Sequence, residues 1–197
     1  MEAFLISTGI VALAEIGDKT QLLAFILAAR FRKPSPIMLG ILLATVVNHA
    51  VAAFLGSWMS SLLSPMVLRW TLGISFLAMA VWILIPDRLN ENETRLETRG
   101  ILGIFGIFST TFLAFFLAEI GDKTQIATVA LAAQYQAFLA VIAGTTLGMM
   151  IANVPAVLLG NKITRYLPVR LVHTIAAVIF AVLGILTLMG AGARLGF

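Results

Sequence analysis

Residues 14–21 read AEIGDKTQ, and residues 118–125 read AEIGDKTQ again. The eight identical positions lie 104 residues apart. The same offset aligns Leu27-Ala28-Ala29 with Leu131-Ala132-Ala133, Gly40 with Gly144, Gly56 with Gly160 and Phe76 with Phe180. Self-similarity at a fixed offset marks a duplicated structural unit. The chain therefore reads as repeat 1 over residues 1–86, a linker loop over 87–100, and repeat 2 over 101–197.

The sequence around these motifs is apolar. Of 197 residues, 60% are hydrophobic and 11% are charged, whereas a water-soluble domain carries roughly a quarter charged residues. Membrane insertion accounts for the deficit, because surface that faces lipid must be apolar. Six stretches reach the length of about 20 residues that a spanning helix needs: 4–29, 36–58, 66–86, 101–133, 136–160 and 169–191. Strands of a membrane barrel are shorter and alternate in polarity, so the runs are read as helices. The stretch 4–29 is too long for a signal h-region and has charges in its middle, so it is taken as the first span. Cysteine is absent, which removes disulfides and thiolate ligands.

Loop charges give the orientation. Arg30, Arg32, Lys33, Arg88, Arg95, Arg99, Lys162, Arg165 and Arg170 follow spans one, three and five, against Arg69 and Arg194 on the other face. The positive-inside rule then puts the odd loops in the cytoplasm and both termini outside. The net charge of +4 is explained by these loops, with no nucleic-acid partner. A unit of three spans is odd, so its second copy enters from the opposite side. The predicted fold class is an all-α membrane protein, with six transmembrane helices in two inverted-topology repeats of three. Transporters of this design bind substrate near the midplane, at the interface between the repeats.

Each motif carries two acids. Glu15 and Asp18 are three residues apart, as are Glu119 and Asp122, so on a continuous helix each pair shares one face. Ionisable groups in a span cost on the order of 3 kcal/mol each at its centre, so these must converge inside the bundle. With Lys19 and Lys123 ionised as charge-balancing partners, four carboxylates leave a net charge of −2, which one divalent cation neutralises. Glu15, Asp18, Gln21, Glu119, Asp122 and Gln125, with Thr20 and Thr124, form a set of hard oxygen donors suited to Mn2+, Ca2+ or Mg2+. Once the cation leaves, crowded carboxylates take up protons, so exchange of a metal ion for protons follows; Na+ is equally compatible as the coupling ion. Gly17 and Gly121 permit either close helix packing or a local break that exposes carbonyls.

Span two adds Asn48 and His49, and span five adds Asn153, which the offset matches to His49. They either complete a coordination shell, where the imidazole favours Mn2+ over Ca2+, or make interhelical hydrogen bonds. His173, at the start of span six, is read as interfacial.

The paired E-I-G-D-K-T segments resemble the E-x-G-D-[KR]-[TS] signature of a divalent-cation transporter family. That family contains bacterial manganese exporters of the MneA type and Golgi Ca2+/Mn2+ transporters, and it is grouped near the cation/Ca2+ exchangers. The likeness covers the whole chain. It implies divalent-cation antiport against protons or Na+, with Glu15, Asp18, Glu119 and Asp122 as ligands. The compact chain is similar to the manganese-export branch, in a bacterial inner membrane. The expected function is Mn2+ export by alternating access, with no permanently bound cofactor; the alternatives are Ca2+/H+ antiport and export of a cationic amino acid. An enzyme is not expected, since no HExxH or GxSxG motif is present. Oligomeric state stays open.

Overall fold

The computed structural model describes residues 1–85, 103–159 and 169–190. They form eight helices, with no strand among the described residues: α1 (Glu2–Glu15), α2 (Lys19–Phe31), α3 (Pro34–Leu62), α4 (Pro65–Trp82), α5 (Ile104–Glu119), α6 (Lys123–Tyr135), α7 (Phe138–Leu159) and α8 (Val169–Leu188). The linker 87–100, Lys162, Arg165, Arg194 and the match of Gly56 to Gly160 lie outside the described residues.

Proline starts α3 and α4 at the first helical position, where its missing N–H is not needed. The ends of α2 and α6 match each other. Arg32 (φ 52°) and Gln136 (φ 49°) each turn left-handed and donate N–H to the Ala28 and Ala132 carbonyls, closing the last turn before the chain reverses.

Four helices, α3, α4, α7 and α8, are long and apolar enough to cross a membrane. The α5–α6 pair, bent by 71°, makes a fifth if it is counted as one span. Of the two readings of Gly17 and Gly121, the structure shows the local break: the helices expected over 4–29 and 101–133 are each broken in two. The cause is local. Gly17 (φ 85°) and Gly121 (φ 74°) adopt left-handed backbone that other residues enter only at a cost. Ile16 and Asp18, like Ile120 and Asp122, are extended. At 14 and 13 residues, α1 and α2 are each about 20 Å long, short of a hydrocarbon core roughly 30 Å thick.

Packing exchanges elements between the halves. The long helix α3 lies on α5 and α6, and α7 lies on α1 and α2. The closest approaches recur at the offset of the sequence repeat. A Cβ on Gly40 would meet the Phe108 carbonyl and the Thr111 side chain; on Gly144 it would meet the Phe4 carbonyl and the Ser7 side chain. Helices α4 and α8 cross at Gly73 and Gly184, each facing the other's carbonyl, and Phe76 meets Phe180 with ring centroids 6.2 Å apart. One apolar cluster includes Ile10, Phe76, Leu131 and Phe180, and a second includes Leu23, Ile41, Phe115 and Val157. Around them Leu39, Phe54, Leu139 and Val178 point outward, the surface expected of helices that face hydrocarbon.

Candidate metal centre

Both helix breaks are built from the motif itself. Breaking a helix frees backbone N–H groups, which must find partners when buried. At the first break the Gly17 N–H donates to Gln21 Oε1 (3.0 Å) and the Asp18 N–H to the Glu15 carbonyl (3.0 Å). At the second, Gly121 donates to Gln125 Oε1 (2.7 Å) and Asp122 to the Glu119 carbonyl (3.1 Å). The glutamines, expected as ligands, thus spend their amide oxygens on the backbone. Gln21 also donates from Nε2 to the Ala152 carbonyl of α7 (2.9 Å), which ties the break to the other half.

The break changes how the acids meet. Glu15 ends α1, whereas Asp18 caps α2 in extended conformation, so the two do not share a helix face as expected. They converge across the break. Glu15, Asp18 and Asp122 each present an oxygen within 4.8 Å of the others, and all three are buried. That spacing suits one ion, since Mg2+ to Ca2+ oxygen bonds of about 2.0–2.6 Å put opposite ligands roughly 4–5 Å apart. Neither aspartate makes a side-chain cap hydrogen bond to its own helix. Both sit at helix N-termini, where the macrodipole favours negative charge.

The fourth acid, Glu119, stands beside this trio, close enough for the charges of Glu15, Asp122 and Lys19 to act on it. The two glutamates are held alike. Thr20 Oγ1 donates to Glu15 Oε2 (2.5 Å), and Thr124 Oγ1 donates to Glu119 Oε2 (3.1 Å). Each hydroxyl fixes one carboxylate oxygen, and Glu15 Oε1 and Glu119 Oε1 are left with no hydrogen bond among the described residues.

The lysines behave differently from each other. Lys19 Nζ lies 3.2 Å from Asp122 Oδ1, an ion pair between the two halves. Lys123, buried, donates to the Ile85 carbonyl in the turn after α4 (3.1 Å). Among the remaining candidates, Asn48 donates to the Phe116 carbonyl (3.2 Å) and pins α3 to α5. Asn153 donates to the Met149 carbonyl (3.1 Å) and lies within reach of the Glu15 carboxylate. His49 is fully buried, with neither ring nitrogen hydrogen-bonded among the described residues.

One contributor was read differently from sequence. His173, read as interfacial, is buried against the first break: its Nε2 lies 2.7 Å from the Ile16 carbonyl. Val169, one turn earlier, fills the space above Gly17. At the second break, among the described residues, nothing stands within 4 Å of a Cβ on Gly121, and Ile120 is exposed. The sequence signal for this difference is that the offset pairs His173 with Arg69 and Val169 with Pro65, unlike residues in both cases.

A family model described as "Divalent cation/proton antiporter GDT1" matches residues 3–91 and 107–194. A protein of Vibrio cholerae named "Putative manganese exporter" is 52% identical over 188 residues, which is 95% of this chain and 90% of that one. GDT1-like protein 3 of Oryza sativa subsp. japonica is 32% identical over 200 residues, 91% of this chain and 71% of its own length. GDT1-like protein 5 of Arabidopsis thaliana is 28% identical over 224 residues, 96% of each chain. No solved structure matches the chain.

Proposed function

The chain belongs to the GDT1 family of divalent cation/proton antiporters, and on that premise we propose that it exports Mn2+ in exchange for protons. The carrying observation is the convergence of Glu15, Asp18 and Asp122 within 4.8 Å, two acids from one half and one from the other. Mn2+ sits among the three carboxylates, with Glu119 as the fourth acid and Asn153 and His49 as reserve donors. Thr20, Thr124, Gln21 and Gln125 hold the acids and the breaks in shape. Manganese is the proposed cargo because the 52% identical relative is named for it and because hard oxygen donors suit it.

The exchange follows from charge. An ion that departs leaves crowded carboxylates behind, and protons neutralise them one at a time. Lys19 already offsets the charge of Asp122. The membrane arrangement we propose counts α1–α2 and α5–α6 as one broken span each. This makes six spans in two inverted repeats, 1–86 and 101–197, with both termini outside a bacterial inner membrane. The recurrence of the Gly40 and Gly144 contacts at the repeat offset supports it, as does the loop charge. Alternating access is read from the two breaks, one covered by α8 and the other uncovered among the described residues.

The test is flux in proteoliposomes loaded with Mn2+, Ca2+ or Mg2+ under imposed pH or Na+ gradients. Mn2+ movement driven by the pH gradient and lost in Asp18→Asn is the expected result. Movement of Ca2+ alone, or coupling to Na+ alone, would replace the reading.

A further inference from the structure

Away from the acidic centre, a cavity of about 580 Å3 opens where α4 and α7 begin and α6 and α8 end. Its polar lining is Arg69, Gln134, Gln136 and Thr187, and Met66 and Leu72 add apolar wall. The Arg69 guanidinium is a planar fork of donors suited to phosphate. No carboxylate pairs with it among the described residues, and its Nε is buried with no hydrogen-bond partner there. A buried donor left unsatisfied is costly, so the site is shaped for an anion.

The level of the cavity says which anion. Trp58, in the last turns of α3, and Trp70, beside Arg69, are both about half exposed. Tryptophan collects at the depth of lipid headgroups. The rim at Met66 and Val67 is exposed and apolar, and the volume exceeds what a bare phosphate fills. We propose that this cavity binds the headgroup of an anionic phospholipid, with Arg69 holding the phosphodiester, Gln134 and Gln136 hydrogen-bonding the glycerol oxygens, and the acyl chains leaving over Met66. The inference goes beyond the transport reading and stands without it.

The test is native mass spectrometry and thermal unfolding of the full chain, purified in detergent and titrated with phosphatidylglycerol, phosphatidylcholine or inorganic phosphate. Phosphatidylglycerol is expected to stay bound and to raise the unfolding temperature. Arg69→Gln should weaken that response about tenfold, the size of one charge-assisted contact, and Arg69→Lys should recover part of it. The lipid-free unfolding temperature of each variant reports whether it folds. Equal retention by wild type and Arg69→Gln would overturn the proposal. So would equal effects of phosphatidylcholine, or an effect of inorganic phosphate that matches the lipid's.

Discussion

Gln21 and Gln125 show how one side chain decides a backbone. Each follows its glycine by four residues and accepts the N–H that the break would leave bare. Gln125→Ala should therefore loosen the second break by on the order of 1–2 kcal/mol. Thermal unfolding in detergent would show it, and Gln125→Glu, which keeps the acceptor, should lose less. The two glycines separate backbone cost from steric cost. Gly121 has no neighbour within 4 Å of a Cβ among the described residues, so Gly121→Ala should carry only the left-handed penalty of about 1–2 kcal/mol. Gly17→Ala also drives a methyl into Val169 and should destabilise more. Equal unfolding temperatures for the two variants would show that α8 does not lean on the first break.

At the scale of elements, the duplicated octapeptide identified the acids, since only a fixed offset ties Glu15 to Glu119 and Asp18 to Asp122. It did not reveal the breaks. A glycine inside an apolar run is compatible with both packing and interruption, and the outcome rests on whether nearby side chains can re-satisfy the backbone, as Gln21 and Gln125 do. Nor could the pairing of Lys19 with Asp122 be read in advance, because spacing within one motif says nothing about which half supplies a partner. The interhelical glycines were visible as aligned positions, while their partners emerge only from packing. Gly144→Ala should push α7 off the Phe4 carbonyl and cost about 1–3 kcal/mol by overpacking. Gly9, also helical, has nothing within 4 Å of a Cβ among the described residues, so Gly9→Ala should leave stability unchanged or slightly higher. The pair can be compared by unfolding temperature in the same detergent.

For the molecule as a whole, the fold brings the first helices of both halves to one acidic centre and lays each long second helix on the opposite half. The proposed orientation puts Lys33 on the cytoplasmic side and Ser61 outside. Because the chain has no cysteine, single cysteines report cleanly. In spheroplasts an impermeant maleimide should label Ser61→Cys and leave Lys33→Cys unmodified until the cells are opened. The reverse pattern would invert the proposed topology.

A single ion shared between the halves is tested most directly by equilibrium binding of Mn2+ to the purified chain, followed by its paramagnetic resonance. One Mn2+ should bind per chain, and Asp18→Asn in one half or Asp122→Asn in the other should each abolish it. Wild-type binding that persists in Asp122→Asn, or two independent sites lost one at a time, would contradict a centre built from both copies.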